Sequence, residues 1–289
     1  MKPAALPRTG ILIALLMFVF LISAAMVYGV VGMHLLLSFR PSDVPAITAN
    51  PVEASAVFSI SKFRSDAGHD YSMGAWDGES CRSMKHYFNW SQDTENNMPV
   101  RSLPSAGHPN IAIYAPFDGT VTAIQSEQIN LGKQVFIASR KNPSFYVRLF
   151  HVDTLPGITV GATVTSGEQV GTIGPMDGTD VSYEAHVFPM RTVYLSIFDY
   201  MSPEAFAPYA ALGHKPSDFI LSRQDADALG YQCSGEQFVR PQDFYSQPGS
   251  KMEGYVSLRR NPYENLYNRM GTNGQNFNTQ GFSNQQPNH

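Results

Sequence analysis

The residues best suited to chemistry lie in Tyr183-Glu184-Ala185-His186-Val187-Phe188. Side chains alternate along a strand, so Glu184 and His186 point to one face and can reach one metal or one substrate atom. A zinc hydrolase uses about three protein ligands and leaves a fourth position open for water. A Glu-x-His pair supplies part of that set. Further groups must come from elsewhere in the chain. Asp66 and Asp70 share parity, so an extended backbone would put both on one side. Carboxylate oxygen is an acceptable zinc ligand at about 2.0–2.2 Å. His151 ends an apolar run, Leu149-Phe150-His151-Val152, and Glu184 can act as a general base.

Those residues need a β framework to hold them. Ile111-Ala112-Ile113-Tyr114 and Val121-Thr122-Ala123-Ile124 read as strands around a Pro116-Phe117-Asp118-Gly119 turn. Gln134 to Ala138 and Phe145 to Val152 form a second strand pair across Lys141-Asn142-Pro143-Ser144. Glycines at 157, 161, 167, 171, 174 and 178 alternate with short apolar pieces, the rhythm of small hairpins. No GxGxxG or Walker pattern opens a helix. Ser202-Pro203-Glu204 predicts a helix start, with serine as cap and proline at the first helical position. Residues 216–230 predict a second short helix.

The remainder of the chain bounds the setting. From Gly10 to Phe39 there is no formally charged residue, and crossing a bilayer takes roughly 20 apolar residues. A signal peptide's apolar region is only about 7–15 residues long, and this run continues past Ser23-Ala24-Ala25. An uncleaved transmembrane helix over 10–39 follows, after a cytoplasmic N-terminus at 1–9 carrying Lys2 and Arg8, so the chain attaches to the membrane through this helix. Residues 40–57, with Pro41, Pro45 and Pro51, suit a stalk. The body spans 58–250, and residues 251–289, rich in Asn, Gln and Gly, predict a disordered tail. A net charge of −4 over 289 residues, with 15% charged, argues against nucleic acid as a partner. Cys81 and Cys233 lie in the exported part, where a disulfide closing so long a loop would stabilise by about 4–5 kcal/mol.

The stretch from Phe63 to about Phe188 resembles the lysostaphin/LytM-type metallopeptidases, zinc endopeptidases of bacterial cell walls. The resemblance rests on Ala115-Pro116-Phe117-Asp118-Gly119-Thr120-Val121, the His151 strand, the hairpin from Val160-Gly161 to Ile173-Gly174, and the strand at 184–187. It implies a mainly β, antiparallel β-sandwich fold of the LytM, duplicated-hybrid-motif kind, with short helices after one transmembrane helix. It implies Asp66, Asp70 and His186 as metal positions for Zn(2+), and His151 and Glu184 as catalytic positions. The family's early motif is His-x-Gly-x-Asp; here it reads Asp66-Ala67-Gly68-His69-Asp70, and Glu184 stands where the last motif's first histidine belongs. About forty residues, 71–110, are inserted before the next strand, with Cys81 to Trp90 among them.

The substituted positions favour a domain with weak catalysis or none, which binds cell-wall peptides or a partner, an enzyme or other envelope protein. The alternative is an active zinc-dependent peptidoglycan endopeptidase with an Asp/Asp/His site. A further alternative is a membrane-fusion component of an export pump. It lacks the long helical hairpin expected there, since residues 125–160 are strand-like.

Overall fold

The computed structural model describes residues 13, 15–27, 41–75, 77–89, 111–127, 131–174, 178–187, 191–239 and 254–258. All belong to the first of two units, Met1–Leu258; the second is Arg259–His289. The architecture is mainly β, and every pairing between named strands is antiparallel.

In chain order the strands are β1 (Ser59–Ser61), β2 (His86–Asn89), β3 (Ala112–Tyr114), β4 (Gly119–Ser126), β5 (Lys133–Ser139), β6 (Phe145–Thr154), β7 (Thr163–Val164), β8 (Gln169–Ile173), β9 (Gly178–Val187), β10 (Arg191–Leu195), β11 (Cys233–Ser234), β12 (Gln237–Phe238) and β13 (Tyr255–Ser257). The main sheet runs β13-β1-β2-β9-β6-β5-β4-β7, with β10 beside β9 and β8 joining β3 to β6. Two helices follow, α1 (Pro203–Ala210) and α2 (Arg223–Leu229). Ser202 caps α1 as its sequence predicts, accepting a bond from the Ala205 amide. The expected helix over 216–230 divides into a 3-10 turn, Pro216–Phe219, and α2, because Ser222 caps a new start.

Strand alternation sorts the two faces of the sheet. Val147 and Leu149 of β6, with Val181, Tyr183 and Ala185 of β9, enter the hydrophobic core. Their even-numbered neighbours Tyr146, Arg148, Ser182 and Glu184 therefore face the other way. β6 carries one irregularity: Lys133 pairs with Val152 and Val135 with Leu149, so Phe150 and His151 together oppose Gln134. This is a bulge. His151 sits in the left-handed region at φ 57. The bulge returns Val152 to the core and leaves Phe150 and His151 together on the polar side.

Two expectations about the ends need correction. Residues 41–57 are not a free stalk: Val44, Ile47, Val52 and Val57 are core residues, and the Tyr183 hydroxyl donates to the Pro45 carbonyl at 2.7 Å. Prolines there separate apolar anchors instead of lengthening a spacer. The expected disordered tail begins too early, since β13 pairs with β1 and Val256 is buried. The rest of the tail, from 259, lies outside the described residues, as does much of the 10–39 segment. Within that segment, residues 15–27 are helical with exposed Leu15, Leu16, Phe18, Phe20 and Leu21. Among the described residues no helix is long and apolar enough to cross a membrane.

Candidate functional site

The even face of β9 presents Asp180, Ser182, Glu184 and His186 in sequence. Residues 68–71 and 85–87, before and within the inserted segment, pack over this face. Gly68 makes the close approach possible: it adopts φ +67, and a Cβ there would lie 2.1 Å from the Tyr87 ring. The His69 amide then donates to the Tyr87 hydroxyl. Tyr71, Lys85 and Tyr87 come down onto Phe150 and the β9 side chains.

Two polar clusters result. In the first, the Lys85 Nζ donates to Asp180 Oδ2 at 2.7 Å and to His69 Nε2 at 3.2 Å. Only 2% of the Lys85 side chain is exposed. Its ammonium lies 4.3 Å from the Phe150 ring centroid and 4.8 Å from those of Tyr71 and Tyr87, within cation–π range. His151 Nε2 approaches the same Asp180 oxygen at 3.6 Å, while its Nδ1 bonds Glu127 Oε2 at 2.6 Å. Burial alone would raise the Asp180 carboxyl, but the Lys85 charge and the His151 ring hold it down at about 2. Burial alone would lower His151; hydrogen bonds to Asp180 and Glu127 prevail and raise it to about 9. The His69 ring is pushed below its ordinary value by burial and by Lys85. With Nε2 accepting from Lys85, its Nδ1 carries the proton donated to the Asp70 carbonyl at 3.1 Å.

The second cluster surrounds Glu184. Its Oε1 accepts from the Tyr71 hydroxyl at 3.0 Å and from the Ser182 hydroxyl, and its Oε2 accepts from the Tyr146 hydroxyl. Arg148 Nη1 donates to the Tyr71 oxygen at 2.8 Å, and its Nε reaches Gln134 at 3.0 Å. Burial, then the neighbouring Glu184, pushes the Tyr71 and Tyr146 phenols far up. Glu184 is thus buried with both oxygens engaged.

The positions named from sequence do not all meet here. Asp70 Oδ1 accepts from the Ser72 amide, the Ser72 hydroxyl and the Arg82 amide. Asp66 lies beside Gly254. His186 is exposed and stacks on the Tyr146 ring at 4.7 Å. The parity argument for Asp66 and Asp70 assumed a strand, whereas residues 64–69 are turns and bends with Gly68 left-handed. Among the described residues no group of three or more His, Cys, Asp or Glu side chains is arranged to hold a metal. The donor set fails the zinc position on chemistry as well: a lysine ammonium stands between His69 and Asp180. The described residues around Lys85 do not fit Zn(2+). Lys85, Asp180, Ser182 and Tyr71 escaped the sequence reading. For Asp180 and Ser182 the signal was available, because the alternation that pairs Glu184 with His186 extends back to them.

His86, within the inserted segment, is structural. Its Nδ1 bonds the Ser61 carbonyl at 2.8 Å and its Nε2 the Ser196 hydroxyl at 2.9 Å, and burial pushes it down to about 4. His86 and His151 thus give stability a maximum in pH. His86 is held neutral in the fold, so the unfolded chain binds more protons between pH 6.5 and 4, and stability falls as pH drops through that window. His151 is held charged, so its contribution is complete below pH 6.5 and is lost as pH rises towards 9. Each side amounts to roughly 3 kcal/mol. Urea midpoints measured from pH 4 to 9 should peak near 6.5; a flat profile would contradict both assignments, and a steadily rising one the His151 assignment.

No family model matches the chain, and no curated protein matches it. Solved structures do. The catalytic domain of the prophage-encoded protein EnpA from Enterococcus faecalis matches at 17% identity over 52% of this chain and 95% of its own, with a TM-score of 0.32. A chain of the SpoIIQ–SpoIIIAH pore-forming complex matches at 11% identity over 58% and 98%, with a TM-score of 0.35. A LytM protein from Ruminococcus gnavus matches at 15% identity over 32% of this chain, which spans 41% of its length, with a TM-score of 0.27. A LytM protein, lysostaphin and a zinc-containing peptidase are thus among the structures similar to this chain.

Proposed function

We propose that this is a LytM-like domain that acts by binding and not by cleaving, with cell-wall peptide as its ligand. A partner envelope protein is the second ligand class. The observation that carries the reading is the self-closure of the site. Peptide hydrolysis needs a polarised water and a base free to take its proton. Here Glu184 is tied to two phenols and a serine, and Asp180 to Lys85. Both Glu184 oxygens are engaged, and Asp180 Oδ2 is held by the Lys85 ammonium. The endopeptidase alternative would require these bonds to break together. The uncharged run from Gly10 to Phe39 supports an N-terminal anchor with the body outside the cytoplasm.

The test uses the full chain with cross-linked peptidoglycan and added zinc. The expected result is co-sedimentation with the wall and no new muropeptide. Zinc-dependent cleavage products that vanish in Glu184→Gln would defeat the binding-only reading.

A further inference from the structure

We propose that Arg148 is the anchor for a carboxylate of the bound peptide, an inference that rests on the wall-peptide reading above. Arg64, Arg82, Arg140 and Lys85 each form an ion pair. Arg148, only partly exposed, forms none among the described residues. Its partners are neutral oxygens. Nε, at 3.0 Å, and Nη2 donate to the Gln134 amide oxygen, and Nη1 donates to the Tyr71 hydroxyl at 2.8 Å. A guanidinium has five N–H groups, so these bonds leave one on each terminal nitrogen. The two oxygens of a carboxylate can take such a pair. Glu184 does not fill that role. It meets Arg148 only through the Tyr71 hydroxyl, and its own oxygens are taken by Tyr71, Tyr146 and Ser182. A charge drawn partly out of water without a counter-charge is costly, and a ligand carboxylate offsets that cost.

The guanidinium is also held in place before any ligand arrives. Its Cζ lies 4.8 Å from the Phe136 ring centroid and 4.6 Å from that of Phe150. Phe136 stacks in turn on Tyr146, and Tyr146 on His186. Gln134 turns its oxygen to Arg148 because its amide nitrogen donates to Glu127 Oε1 at 3.0 Å. Little side-chain freedom is then left to lose on binding. His186, exposed at the end of this row of flat groups, gives the rest of a peptide a surface beside the anchor. A lysine at 148 would keep the charge but not the planar fork or the stacking.

The test titrates the full chain with a synthetic wall peptide that carries one side-chain and one C-terminal carboxylate, and with copies amidated at one or the other. Amidation at one of the two positions is expected to weaken binding about tenfold or more, the scale of a charge-assisted hydrogen bond. The position that matters identifies which carboxylate Arg148 holds. In Arg148→Gln the free and amidated peptides should bind alike. No loss from either amidation, or a preference for the free peptide that persists in Arg148→Gln, would overturn the proposal. Should Arg148→Gln not fold, nitrogen NMR of the native chain decides. The free peptide should shift the Arg148 Nε signal and the weakly bound amidated copy, at equal occupancy, should not; equal shifts refute the anchor. Equal binding of all three peptides defeats this inference alone, whereas no binding of any defeats the wall-peptide reading and the anchor with it.

Discussion

Asp180→Ala should lower unfolding stability by about 3–5 kcal/mol, the typical cost of removing one partner from a buried ion pair. The carboxylate is the hinge of a charge row in which Lys85, Asp180, His151 and Glu127 alternate in sign. Without it the Lys85 ammonium keeps only a neutral imidazole and three aromatic faces, with 2% of its side chain exposed. Cation–π contacts of about 2 kcal/mol at best cannot replace the ion pair. The pair itself need not be a net source of stability, because both charges lost their hydration to form it. Lys85→Met combined with Asp180→Leu should therefore recover most of the loss. Urea unfolding of the two singles and the double completes a cycle, with a coupling above about 2 kcal/mol expected. A loss below about 1 kcal/mol in Asp180→Ala would mean that water replaces the carboxylate and that the pocket is open.

The strands of the central sheet were legible because their apolar residues alternate with polar ones. Gln134 to Ala138 and Phe145 to Val152 lie inside β5 and β6. The cap at Ser202 was legible for an equally local reason. Lys85 was not. Nothing near it in sequence marks a lysine for burial, since Asp180, its partner, lies 95 residues away. Tyr71 is similar: its hydroxyl is placed by Arg148 and Glu184, both distant. The parity argument failed for Asp66 and Asp70 because it presumed a strand where Gly68 makes a turn. It succeeded on β9 but was stopped too soon, at Glu184, although Asp180 and Ser182 share its face. The stalk was misjudged because prolines suggest extension, while Val44, Ile47 and Val52 between them find a core.

Replacing Cys81 and Cys233 together by serine should cost about 5 kcal/mol, the largest effect expected of any change here. The two cysteines are joined by a disulfide across 152 residues. Cross-linking so long a loop removes chain entropy from the unfolded state, and the saving grows only slowly with length. The bond also has a local consequence. It ties the β11–β12 hairpin to the segment that carries His69, Tyr71 and Lys85. The Asp70 amide donates to the Glu236 carbonyl at 2.8 Å, and Arg82 bridges Glu79 to Asp227 of α2. Those contacts must then hold this side of the covering segment once the disulfide is gone. Amide exchange around Asp70 and Tyr71 should accelerate more than exchange in β5 and β6. Uniform acceleration would mean the disulfide acts through the unfolded chain alone. A stability loss under about 1 kcal/mol would mean the unfolded chain already keeps these segments together, and the entropic account would fail.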